Sequence, residues 1–131
     1  MPSLSKTLLL LPILLLTTTP ITLALPTPSS DQDLSPRKQT YAGEITYYEP
    51  GLGACGWTNG ANELVAAVSP SQYSGNCGKR ATIRKDGKTV HVKVVDKCPG
   101  CKSGSIDVSP AAFKTLADLG VGRTGVTWSF D

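Results

Sequence analysis

Asp96 and Asp107 stand on either side of a Cys98-Pro99-Gly100-Cys101 turn, in the runs Val94-Val95-Asp96-Lys97 and Ile106-Asp107-Val108-Ser109-Pro110. A positioned carboxyl group can donate a proton to a leaving oxygen, and hydrolysing a glycosidic bond by inversion needs a second carboxylate as base across the scissile bond. Asp107 lies between Ile106 and Val108, and apolar surroundings hold a carboxyl protonated to higher pH, as a proton donor requires. The competing role for Asp107, two residues before a helix start at Ser109, is to accept bonds from the backbone donors of that helix. For Asp96 the competing role is to stabilise the turn that begins at Cys98.

The other groups with chemistry are few. Four cysteines allow three pairings, and Cys55 with Cys77 and Cys98 with Cys101 is favoured, because the second pair is already adjacent and would pin its turn. The rival is a four-thiolate zinc site, of which Cys-x-x-Cys is half. Cys55 and Cys77 lack the paired spacing, so no metal and no cofactor are expected. Tyr47, Tyr48, Trp57 and Tyr73 supply rings for stacking on sugar faces. Adjacent residues of a strand point to opposite faces, so at most one of Tyr47 and Tyr48 lines a groove. Trp57, in a Gly-rich loop, is the better exposed candidate, whereas Trp128 alternates with Val126 and Phe130 and belongs to the core. His91 alternates outward among valines and is given no role.

The elements that must hold these residues alternate with period two. Val90, Val92 and Val94 share one strand face and His91 and Lys93 the other, and Asp86-Gly87 signals a hairpin to the run Arg80-Ala81-Thr82-Ile83-Arg84. Gly125-Val126-Thr127-Trp128-Ser129-Phe130 alternates as well, and residues 44–48, 64–68 and 106–108 complete about six short strands. Ser109 as N-cap and Pro110 at the first helical position begin one helix, with Phe113, Leu116 and Ala117 on a shared face before Gly120. Such short strands with a brief helix predict a small closed barrel, which leaves no edges to protect.

The whole chain has 131 residues. Residues 1–24 read as a signal peptide: Lys6, an apolar run over 8–16, and a Thr22-Leu23-Ala24 cleavage site. That run is too short to span a bilayer, which takes about 20 apolar residues, so no membrane role is expected. Residues 25–40 are rich in Pro, Ser, Thr and Asp and read as a disordered linker or propeptide, with Arg37-Lys38 a candidate processing site. Residues 41–131 form one domain with ten Lys and Arg against eight Asp and Glu, a net +2. Much of the positive charge lies within 79–102, but no nucleic-acid motif is present and no nucleic-acid partner is expected. The expectation is a secreted, extracellular monomer.

The ordered series Gly43-Glu44-Ile45-Thr46-Tyr47-Tyr48, Gly53-Ala54-Cys55-Gly56, Asn76-Cys77-Gly78, Val95-Asp96-Lys97-Cys98-Pro99-Gly100-Cys101 and Ile106-Asp107-Val108-Ser109 resembles the double-psi β-barrel of expansins, barwin-like proteins and the rare lipoprotein A group. Its likeness to the single-domain expansin-like loosenins is particular, and it covers 41–131. The resemblance implies an all-β fold, a six-stranded double-psi β-barrel with one or two short helices, and a groove that holds a glycan chain. It assigns Asp107 as the family's general acid or its non-hydrolytic, vestigial equivalent, Asp96 as the second groove aspartate and Thr46 as the groove threonine, with Tyr48 or Trp57 stacking on sugar. The related endoglucanases carry a base aspartate shortly after the first-strand threonine and aromatics. Here only Glu49 is near, off the matching position and before Pro50, which keeps it extended. The position of an expansin aromatic just after Asp96 is taken by Cys98.

The resemblance therefore implies a non-hydrolytic binder and loosener of cell-wall polysaccharide, whether cellulose, chitin or peptidoglycan. The alternative is a protein-binding module such as a cysteine protease inhibitor, because a bacterial papain inhibitor of this fold is similar around the Cys-Pro-Gly-Cys turn. A weak glycan-cleaving enzyme ranks third.

Overall fold

Six of the strands close into one barrel. The computed structural model describes residues 12–25 and 36–131. The expected signal peptide over 1–24 and linker over 25–40 therefore fall partly outside the described residues, and residues 12–25 carry no helix or strand. No helix among the described residues is long and apolar enough to cross a membrane.

The elements are β1 (Tyr41–Tyr47), β2 (Gly51–Leu52), β3 (Thr58–Asn59), β4 (Val65–Val68), α1 (Pro70–Tyr73), β5 (Arg80–Lys85), β6 (Lys88–Lys97), β7 (Ile106–Val108), α2 (Pro110–Leu116), a 3-10 turn (Leu119–Val121) and β8 (Thr124–Phe130). Around the barrel the order is β1-β7-β4-β6-β5-β8, and β1 closes the ring by pairing with both β7 and β8. Pairs β1–β7 and β4–β6 are parallel and the others antiparallel. The expected all-β, six-stranded barrel with short helices is the one observed.

Alternation sets what goes inside. Ile45, Ile83, Val90, Val92, Val94, Ile106, Val108, Val126 and Trp128 form one apolar cluster with Phe113 and Leu116 of α2. The Asp86-Gly87 turn has positive φ at both residues, 47° and 77°. That is the backbone twist a two-residue hairpin needs, and it joins β5 to β6 in register.

Several expectations need correction. The first strand begins at Tyr41, three residues before the run read as strand, because its outer residues are small or charged and only Ile45 is fully buried. Leu64 lies outside β4 and is 45% exposed. Helix α2 stops at Leu116, since Ala117 is already extended and its N–H bonds Phe113 O, so the run does not continue to Gly120. The ribbon β2–β3 and the one-turn helix α1 have too few residues for any periodic signal.

One irregularity positions the site. Between β4 and β6 the register runs from Ala66↔Val94 to Ala67↔Asp96, which leaves Val95 as an extra residue on β6. Counted by twos from Val90, Asp96 would face the core. The bulge inserts one residue, so Val95 is buried outside the core cluster and Asp96 turns outward.

Candidate functional site: a polar groove on the barrel wall

Across four neighbouring strands the outward residues at one level are Thr46 on β1, Asp107 on β7, Ala67 on β4 and Asp96 on β6, from the pairings Thr46↔Asp107, Ala67↔Asp107 and Ala67↔Asp96. Strands lie ~4.8 Å apart, so the two aspartate Cα atoms are about 10 Å apart with a methyl side chain between them. Ala67 itself is covered, 2% exposed, so this level carries a carboxyl group on each side of a buried alanine.

Asp107 occupies the middle of β7, and the side chains of Ile106 and Val108 point the other way, fully buried in the barrel. Its carboxyl is nonetheless raised above its ordinary value, first by burial. The Thr46 hydroxyl and the Arg123 guanidinium pull it down, and Asp96 pushes it up. The Thr46 Oγ1–H donates to Asp107 Oδ1 at 3.0 Å. The helix-capping role is filled by Ser109 instead, whose Oγ accepts from Ala112 N at 3.3 Å.

Thr46 and Asp107 line an open cavity of 270 Å³ with Glu44, Ser105, Lys102, Arg123 and the Cys98–Cys101 turn. Glu44 and Arg123 were not singled out from sequence. Glu44 lies two residues before Thr46 and so on the same strand face, a signal that was available. Arg123 enters only through the pairing of β1 with β8, and its Nη1 donates to Glu44 Oε2 at 2.7 Å. Glu49, considered above as the nearest acid, is not among the lining residues. The cavity wall at residues 102–105 is pinned from beneath, since Trp128 Nε1–H donates to Gly104 O at 2.8 Å and Gly104 N–H donates to Gln72 Oε1 at 3.0 Å.

Asp96, Tyr48 and Trp57 lie outside the cavity lining. Asp96 Oδ1 accepts from Ala54 N at 2.7 Å and Lys97 N at 2.8 Å, and its Oδ2 accepts from the Tyr48 hydroxyl at 3.3 Å. The Tyr48 phenol is pushed up by burial, then by the Asp96 charge, so it stays a donor. Asp96 thus fastens the loop that carries Cys55 to β6. Gly53 fits there because the Val95 carbonyl and Asp96 Cβ occupy the space a side chain would take.

Trp57 is 41% exposed, with Lys93 Nζ 4.2 Å from its ring centroid. Tyr47 packs on Phe113 at 4.9 Å between centroids and Tyr73 packs against the core. Trp128 is fully buried. His91 does have a partner, its Nδ1 lying 2.9 Å from Thr82 Oγ1. Disulfides join Cys55 to Cys77 and Cys98 to Cys101. All four sulfurs are thereby consumed, which leaves no thiolate for zinc.

A closed barrel with two parallel strand pairs, braced by disulfides and bearing an aspartate-lined groove, defines a double-psi β-barrel protein. The chain belongs to that family: its profile, described as lytic transglycolase, matches residues 40–128. Among relatives, the papain inhibitor of Streptomyces mobaraensis is 39% identical over 123 residues, covering 86% of this chain and 84% of that protein. The Aspergillus fumigatus protein named Allergen Asp f 7 is 40% identical over 97 residues, covering 68% of this chain, which spans only 36% of the allergen's length. Among solved structures, a Streptomyces papain inhibitor superposes with a TM-score of 0.66 at 36% identity, covering 70% of this chain and 94% of that one. A Clavibacter michiganensis expansin mutant in complex with cellohexaose superposes with a TM-score of 0.65 at 30% identity, covering 71% of this chain and 50% of that one.

Proposed function

We propose that this protein is an exported, non-hydrolytic binder and loosener of cell-wall polysaccharide, with the glycan chain lying on the outer barrel face that carries Thr46, Asp107 and Asp96 and an aromatic ring, Trp57 or Tyr48, stacking beside it. The observation that carries the reading is the Thr46–Asp107 pair at an open polar cavity on this barrel, given that the expansin relative is a cellohexaose complex. A groove of hydroxyl, carboxyl and guanidinium groups offers both donors and acceptors, which is what sugar hydroxyls need. Export is supported by the two disulfides, which persist in oxidising compartments, and by the charged, then apolar, then small-residue pattern of 1–24.

A second reading, inhibition of a cysteine protease, is favoured by one observation: the papain inhibitor relative matches over most of both chains. The purified protein incubated with cellulose, chitin and peptidoglycan, and separately with papain, distinguishes them. Retention on one or more polysaccharides without release of soluble sugar, and uninhibited papain, is expected. Stoichiometric inhibition of papain with no polysaccharide retained would replace the glycan reading by the inhibitor one.

A further inference from the structure

We infer that the outer face of the β5–β6 hairpin is a docking surface for an acidic glycan, a polymer of uronic acid units, separate from the groove of Asp107 and independent of what that groove binds.

Charge is segregated in this domain. Residues 79–93 hold six cations, Lys79, Arg80, Arg84, Lys85, Lys88 and Lys93, against the single acid Asp86, a net +5, whereas the rest of 41–131 holds four cations and seven acids, a net −3. The outward residues of β5 and β6 within this stretch are Arg80, Thr82, Arg84, Thr89, His91 and Lys93, with no apolar side chain among them. Arg80 stands directly opposite Lys93, and Lys85 directly opposite Lys88. Like charges so placed oppose strand pairing, and an anion laid across them removes the repulsion. Asp131 lies 3.8 Å from Arg80 and Asp86 lies 3.2 Å from Lys85. Arg84, Lys88 and Lys93 have no ion-pair partner among the described residues.

The layout selects a polymer. Arg80 and Arg84 are four residues apart on one strand, roughly 14 Å at ~3.4 Å per residue, so a single small anion cannot touch both, and a chain with repeated carboxylates can. Guanidinium groups meet carboxylates through two parallel bonds. Thr89 and Thr127 flank Arg84 as its direct neighbours on β6 and β8 and offer exposed hydroxyls to sugar. Beside them opens a cavity of 410 Å³ lined by Arg84, Lys85 and Thr127 with the small residues Ala42 and Gly125. At the other end Lys93 Nζ sits 4.2 Å from the centroid of the exposed Trp57 ring, an apolar platform for a sugar face. A lipid surface calls for apolar side chains to insert, which β5 and β6 do not present. In the ring order β5 stands three strands from β7 in either direction, so a molecule held by this face turns its Asp107 side away from the acidic polymer.

The test measures association of the purified protein with immobilised polygalacturonate over a range of NaCl concentrations, beside fully methyl-esterified polygalacturonate, which keeps the sugar and loses the charge. Arg80→Gln/Arg84→Gln is compared with Lys97→Gln/Lys114→Gln, which removes the same charge from elsewhere on the surface. All four side chains are exposed, so both variants fold. The parent is expected to bind polygalacturonate, to release it at about 1 M salt, where the screening length falls to ~3 Å, and to ignore the esterified polymer. Arg80→Gln/Arg84→Gln binds about tenfold more weakly, the low end of the ~10–10³ that a focused patch of one sign contributes to association, while Lys97→Gln/Lys114→Gln stays close to the parent. No binding of the parent to polygalacturonate, equal retention on the esterified polymer, or equal weakening by both double variants overturns the inference. So does tighter binding of the parent to phosphatidylserine vesicles or to duplex DNA, which would assign the face to a membrane or to nucleic acid. Retention of Arg80→Gln/Arg84→Gln on the uncharged polymers cellulose and chitin is expected to match the parent's, so a failure of the groove reading shows separately.

Discussion

Two aspartates that look equivalent in the chain have different jobs. Asp107 receives one hydroxyl bond and faces an open cavity, whereas Asp96 is held by two backbone donors and a phenol. Because burial raises Asp107, the folded state binds that proton more tightly than the unfolded chain does. Its contribution to stability is thus complete below the unfolded value of ~3.9, and is lost as pH rises through the folded value. Asp107→Asn never ionises, so it flattens that part of the pH profile. Its thermal midpoint at pH 7 is expected to be unchanged or higher, while polysaccharide retention falls about tenfold, worth ~1.4 kcal/mol. A midpoint that drops by many degrees with retention intact would assign Asp107 to the framework. Asp96→Ala removes three hydrogen bonds, two of them at exposed backbone donors that water can satisfy, and is expected to cost about 2 kcal/mol of stability, read from urea unfolding. An unaltered unfolding midpoint would show that the loop does not depend on it.

At the scale of elements, the groove depends on close backbone approaches and on staples. Gly104 has φ +86°, and a Cβ there would lie 2.6 Å from Ala42 O, against the backbone of β1. Gly104→Ala combines left-handed strain with that collision and is expected to cost about 3 kcal/mol, together with loss of the cavity wall. The Cys55–Cys77 bridge closes a separation of 22 residues. By loop-closure entropy its removal as a Cys55→Ala/Cys77→Ala pair is worth about 3 kcal/mol, more than removal of the short Cys98–Cys101 bridge. Equal losses for the two bridges in urea titrations would contradict that ordering.

For the molecule as a whole, topology governs folding. β1 cannot pair with β7 until residues 61 apart in the chain meet, and two of the barrel pairings are parallel. Folding with disulfides intact is therefore expected in roughly milliseconds to seconds, measured by stopped-flow Trp fluorescence, since Trp128 moves from water to full burial. A microsecond phase carrying the whole amplitude would show that local structure dominates instead.

The chain itself determined what depends on near neighbours. The β5–β6 hairpin follows from Asp86-Gly87 between alternating runs, the start of α2 from Ser109-Pro110, and the inward valines of β6 from period two. The pairing of Cys98 with Cys101 follows from a separation of 3. Thr46 and Asp107 were legible as partners only through the family resemblance, because residues 61 apart have no local signal that joins them. Tertiary structure alone decided the direction of Asp96, since the Val95 bulge arises from the β4–β6 register and reverses the face that alternation predicts. It also decided the company of Asp107. Arg123 reaches Glu44 across 79 residues of chain when β8 closes the barrel on β1, and no spacing within a strand or helix encodes a contact that exists only once the ring is shut.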